Sequence, residues 1–190
     1  MSAALPPIVM MGVSAVGKTS VGLELARLTG GVFRDADDLH SAANVARMRA
    51  GIPLDDDARR PWLEAVGAEL APGTVMACSA LARRYRDALR RHAPDAVFVH
   101  LDADVELLTA RARERAGHFM PPALLQSQLD ALEPLEADEA GITVRVDAAP
   151  REIAVQAVDA LCTFVRVAES VGATTPERRE LRPERVRPAG

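Results

Sequence analysis

Apolar residues along the chain gather in short runs, separated by longer stretches in which apolar and polar positions mix periodically. IVMMGVS (8–14), GVFRD (31–35), TVMACSA (74–80), AVFVHLDA (96–103) and ITVRVDA (142–148) have strand length and are rich in β-branched or bulky apolar side chains. Several are apolar almost throughout rather than alternating, as parallel strands covered on both faces require. Between them, apolar positions recur at helical spacing over 18–29, 41–50, 59–71, 82–92, 104–116, 121–132 and 150–168. Strand and helix in alternation predict an α/β layered sheet with right-handed crossovers.

In such a sheet the C-terminal ends of all strands share one edge, and ligands bind along it. The segments that follow the five runs, GVSAVGKT, DADDLH, CSALARRYR, HLDAD and VDAAP, are therefore expected to converge. Two stretches break the pattern. RERAGHFMPP (113–122) combines basic residues, a glycine and a proline pair, and reads as a mobile excursion between helices. AESVGATTPERRELRPERVRPAG (168–190) is rich in Pro, Arg and Glu, and reads as a flexible tail behind a single domain over residues 1–167.

The chemistry starts in the first of these segments. Gly12–Val13–Ser14–Ala15–Val16–Gly17–Lys18–Thr19 fits G-x-x-x-x-G-K-[ST], with a strand before it and a helix after it. The glycines let backbone N–H groups turn inward around an anion, and the helix aims its positive end at the same point. Lys18 is suited to the β- and γ-phosphates of a nucleoside triphosphate and the Thr19 hydroxyl to Mg²⁺. FRDADDLH (33–40) then places acids beside the expected phosphates. A hard cation resolves that conflict, because Mg²⁺ takes carboxylate or water oxygens and a second aspartate can accept a proton from an acceptor hydroxyl. The same residues also read as a solvated turn in which Asp38 caps the next helix. In GIPLDDDARRPWL (51–63) the acids favour a helix N-terminus, Pro61 suits its first turn, and Trp62 reads as core. Arg83, Arg84, Arg86 and Arg90 follow the third run at the ligand edge, and Arg111 and Arg115 lie one helical turn apart, where basic residues can close over phosphates.

Composition narrows the setting. The chain has 190 residues, 48% hydrophobic and 26% charged, which is ordinary for a globular domain. Aromatics at 3% and a net charge of −4 give neither a stacking surface nor a basic footprint for nucleic acid. Cys78 and Cys162 share no metal or redox spacing, so a reducing cytoplasm is expected. No stretch has the length of a membrane span.

Taken in order, MGVSAVGKTS, FRDADDLHSAANVARMRAGIPLDDDARRPWL, CSALARRYRDALR and RARERAGHFMPPALLQSQLDALE resemble the gluconokinase family, from about Val9 to Val146. These are small P-loop kinases that phosphorylate D-gluconate on its 6-hydroxyl with ATP. The resemblance implies a P-loop NTPase fold of the nucleoside-monophosphate-kinase type: a three-layer sandwich with a five-stranded parallel sheet. It further implies a substrate-binding helical segment at about 38–71, a lid at about 112–130 and a homodimer. By position it assigns Lys18, Asp37 and Arg115 to catalysis, with Asp37 orienting or deprotonating the hydroxyl. ATP falls to residues 12–19, Ser20, Arg111 and Arg115, and Mg²⁺ to Thr19 and, through water, Asp35. The sugar acid falls to Asp37, His40, Arg59, Trp62, Ser79, Arg83, Tyr85, Arg86 and His118.

The chain departs from the family pattern in several places. Ala15 replaces a loop glycine, Ala36 the middle glycine of D-G-D, and Ser41 a proline. Ala58 stands for an aspartate, Ala82 for a lysine, Met120 for an aromatic and Leu135–Glu136 for Pro-Gly. Ala58 and Ala82 each delete a charge near the acceptor. They keep two other readings open: a kinase of another small hydroxy acid, such as shikimate or another aldonate, and a nucleotide-binding regulator without catalysis.

Overall fold

The computed structural model describes residues 5–52, 54–114 and 122–170. Five strands, β1 (Ile8–Met11), β2 (Val32–Asp35), β3 (Thr74–Ala77), β4 (Val97–Asp102) and β5 (Gly141–Arg145), form one sheet in the order β2-β3-β1-β4-β5. Every neighbouring pair is parallel. The helices are α1 (Lys18–Thr29), α2 (Ala42–Arg49), α3 (Asp56–Ala68), α4 (Arg83–His92), α5 (Val105–Glu114), α6 (Pro122–Asp130) and α7 (Pro150–Ser170), with a 3-10 turn at Ala36–Leu39. The chain thus builds the three-layer parallel sandwich that its apolar pattern predicts.

Alternation along buried strands sorts side chains between two cores. Ile8 and Met10 of β1, with Val97, Val99 and Leu101 of β4, pack with α1 and α7 through Val21, Leu25, Ile153 and Ala157. Val9, Met11, Met76 and Phe98 face the other way, onto Trp62, Leu63 and Val66 of α3 and Ala88 and Leu89 of α4. Both faces are covered, so the open ground is the edge where the strands end.

Local chemistry corrects several boundaries. Ser41, not Asp38, caps α2: its side chain accepts the Asn44 N–H at 3.2 Å. The residue that departs from the family proline therefore supplies a favourable N-cap. Asp55 accepts the Ala58 N–H at 2.8 Å and starts α3 at Asp56, three residues earlier than the periodicity suggests. Pro61 consequently lies inside the helix, beyond the first turn expected for it. Helix α7 runs to Ser170, past the expected domain end. The tail beyond it, residues 171–190, lies outside the described residues, as does most of the excursion expected at 113–122.

The largest buried polar group is an ion pair. Arg86 of α4 is 0% exposed and donates to both carboxylate oxygens of Glu139 at 2.7 Å. It also donates to the carbonyls of Ala80, Leu81, Glu133 and Pro134. Arg90 adds a bond to Glu139 at 2.9 Å. Burial pushes the Glu139 carboxyl up, but the Arg86 bonds, the Glu136 N–H and Arg90 outweigh it and hold the group down at about 2. This knot pins the loop between α6 and β5 to α4. Among the described residues, no helix is long and apolar enough to cross a membrane.

Candidate active site

The loop between β1 and α1 wraps as the glycine spacing requires. Gly12 has φ 139° and Gly17 φ 105°, both inaccessible to most L-residues. At Gly12 a Cβ would also meet the Leu101 carbonyl at 2.8 Å, so the position tolerates only glycine. Ala15 sits at φ 64°, in the left-handed region, where its family counterpart is glycine. The Lys18 Nζ donates to the Gly12 and Val13 carbonyls at 3.0 Å each, folded over the loop it serves. Arg111 of α5 donates to the Val16 carbonyl at 3.3 Å, placing a guanidinium on the loop's other flank. Ser20 lies in the first turn of α1.

The acidic turn faces this loop. The Thr19 hydroxyl donates to Asp35 Oδ2 at 3.0 Å. Asp35 Oδ1 accepts the Asp37 N–H at 3.1 Å, which locks the 3-10 turn and leaves the Asp37 carboxylate exposed. A hydroxyl and a carboxylate in contact form a hard-oxygen pair that fits Mg²⁺. Among the described residues no group of three or more His, Cys, Asp or Glu could hold a metal alone, so phosphate and water oxygens would complete such a shell. Ala36 is buried with a negative φ and accepts the Trp62 indole N–H at 2.7 Å. The missing family glycine is thus met by an alanine in ordinary backbone geometry.

Trp62 is 4% exposed and stacks on His40, with ring centroids 4.4 Å apart and 11° between planes. It orders the turn and the imidazole from behind, with its indole N–H committed to the Ala36 carbonyl. Burial keeps the His40 pKa below its ordinary value; Asp37 opposes that shift and Arg59 adds to it. A neutral imidazole therefore stands beside Asp37.

A cleft next to the turn is lined by Arg59, Ser79, Leu81, Ala82, Arg84, Tyr85, Asp130, Ala131 and Glu133. Its link to the phosphate loop is direct, because the Gly12 N–H donates to the Ser79 carbonyl at 3.2 Å. Arg59 and Arg84 lie over the Tyr85 ring at 5.3 and 4.7 Å. Arg84 and the Tyr85 hydroxyl both hold Asp56, at 3.1 and 2.6 Å, so these donors already grip a carboxylate. The Tyr85 and Arg84 bonds hold the Asp56 carboxyl below its usual range.

The four arginines of α4 divide. Arg83 donates to Glu136 and Asp138 at 2.7–2.8 Å and does not line the cleft. Arg86 is enclosed in the Glu139 knot with no exposed surface. Arg84, absent from the expected site set, takes the cleft position. Gln128 of α6 was also missed: its Oε1 accepts the Ser14 N–H at 2.7 Å across 114 residues. It lies within the LLQSQLDALE stretch that carries the resemblance, but nothing in local spacing marks it. Arg115 and His118 lie outside the described residues.

Residues 14–162 match the family model described as shikimate kinase. The chain is 47% identical over 146 residues to the thermosensitive gluconokinase of Escherichia coli K12, covering 73% of this chain and 77% of that protein. It is 45% identical over 145 residues to a gluconokinase of Gluconobacter oxydans, covering 72% and 80%. Among solved structures, a gluconokinase from Sinorhizobium meliloti superimposes with a TM-score of 0.78 at 42% identity, over 89% of this chain and 97% of that one.

Proposed function

The chain belongs to the gluconokinase family, and from that premise we propose that it transfers the γ-phosphoryl group of ATP to the 6-hydroxyl of D-gluconate, releasing ADP and 6-phospho-D-gluconate. The observation that carries this reading is the junction of two halves. A phosphate loop and a cleft that already grips a carboxylate meet through one hydrogen bond, Gly12 to Ser79, with Asp37 beside them.

Each residue then has work to do. The loop N–H groups and the α1 N-terminus take the phosphates, and Lys18 exchanges its loop carbonyls for phosphate oxygens. Thr19 and Asp35 would hold Mg²⁺, which when bound neutralises phosphate charge. Arg111 and, from the resemblance, Arg115 stabilise charge on the transferring group. Asp37 orients the acceptor hydroxyl and takes its proton as the new O–P bond forms, while neutral His40 offers hydrogen bonds to the polyol. Arg59 and Arg84, spaced by Tyr85, would receive the carboxylate in place of Asp56. That grip supplies the cation that Ala82 and its missing lysine do not. Ser79, and by resemblance His118, complete the acceptor contacts. Residues 38–71 form the substrate segment and 112–130 the lid, and two copies form a homodimer, which sedimentation at micromolar concentration would test.

The deciding measurement is coupled ADP release across a panel of sugar acids and shikimate, with Mg²⁺ and ATP. Gluconate should give the highest kcat/KM, and glucose, which lacks the carboxylate, essentially none. Activity on another acid with none on gluconate would remove the substrate assignment.

A further inference from the structure

Gln128 makes a contact that a surface glutamine has no reason to make. Its neighbours are anchored: on α6 Leu125 is buried and Leu129 packs against the core, as does Leu132 just beyond the helix. One helical turn from Leu125 the same face brings the half-buried Gln128 side chain to the phosphate loop, where Oε1 takes the Ser14 N–H at 2.7 Å. Since a backbone N–H can only donate, the carboxamide orientation is fixed with oxygen toward Ser14. The Nε2 group, on the same carbon, therefore lies within about 5 Å of the Ser14 nitrogen and carries two protons to donate.

We propose that Gln128 is a further catalytic residue, whose carboxamide is aimed by Ser14 and donates from Nε2 to the phosphoryl group in transfer. This rests on the phosphotransferase reading above. The residue type suits the task. Lys18 and Arg111 already bring two cations to the loop, and a carboxamide can accept from a loop N–H while donating to a phosphate oxygen. Glutamate would keep the first role and lose the second; lysine would do the reverse. Helix α6 also contributes Asp130 to the acceptor cleft, so the group that touches the donor phosphate is rigidly tied to the wall of the acceptor site. Donors placed this way act on charge that develops during transfer.

The test is steady-state kinetics on the full chain carrying Gln128→Glu and Gln128→Ala, beside wild type, with ADP affinity and melting temperature measured on each. Gln128→Glu is nearly isosteric and can still accept from Ser14, so a merely structural role predicts that its charge weakens ADP binding without lowering kcat at saturating ATP. The proposal requires kcat to fall at least about tenfold in both variants, and further in Gln128→Glu, with KM for gluconate and melting temperature little changed. Wild type turning over while Gln128→Glu keeps more than half its kcat overturns this inference alone. Wild type inactive on every sugar acid overturns the activity beneath it.

Discussion

Asp35 and Asp37 are two positions apart and do unlike things, because one ends a strand and the other begins a turn. Asp35 is tied to Thr19 and to the Asp37 N–H, whereas the Asp37 carboxylate stays exposed. Asp37→Asn keeps the shape and removes the proton acceptor, so kcat should fall by about 10²–10⁴ with KM for ATP unchanged; near-normal turnover would take the role away from Asp37. Ala15 makes the opposite kind of prediction. Held at φ 64°, it bears a backbone cost of about 1–2 kcal/mol that glycine would not. After the greater unfolded-state freedom of glycine is set against that, Ala15→Gly should raise the melting temperature by roughly 2–4 °C. A fall in melting temperature would show that the loop carries no such strain.

At the scale of elements, helix α4 shows where sequence reading succeeds and where it stops. Its place at the ligand edge followed from alternation of strand and helix, and so did convergence of the phosphate loop, the acidic turn and the Ser79 segment. Which arginine faces the cleft did not follow. Positions 83, 86 and 90 share one helical face, and that face meets EPLEADE (133–139), whose acids lie about fifty residues away in sequence and carry no local signal of pairing. Arg84 lies off that face and reaches the cleft instead. The same long-range blindness hid Gln128, while the caps Ser41 and Asp55 were legible in kind but misplaced by a few residues. Arg86→Met should therefore act on stability: leaving Glu139 buried beside Arg90 alone costs about 3–5 kcal/mol, read as a lower urea midpoint, with KM for gluconate in the folded fraction unchanged. Adding Glu139→Leu should restore most of that loss. A raised KM at intact stability would return Arg86 to the substrate set.

For the molecule as a whole, stability should depend on pH through two imidazoles, one buried and one half-buried. His100 on β4 is 5% exposed, and its Nε2 has no hydrogen-bond partner. Burial lowers its pKa from the ordinary 6.5, with Asp102 opposing and Arg86 adding to the shift. His40 shifts the same way. A depressed folded pKa means that the unfolded chain binds the proton more readily, so this stability is present above pH 6.5 and is lost as pH falls from there toward the folded value. Urea midpoints measured from pH 7.5 to 5.5 should decline, and His100→Leu should flatten the decline. An unchanged slope would exclude His100 as a source. Glu139, held at about 2, keeps its contribution until far more acid conditions, from about 4.5 downward.

The strand order carries a consequence for how the protein is made. β1 lies in the centre of the sheet and is wholly buried, yet its two neighbours, β3 and β4, begin at Thr74 and Val97. While the ribosome adds the intervening sixty to ninety residues, which takes on the order of 3–20 s, IVMM has no partner strand and the loop behind it has no frame. The nucleotide site is encoded first and completed late. Slowed synthesis between residues 12 and 97 would prolong exposure of an apolar segment that the finished enzyme never shows to water.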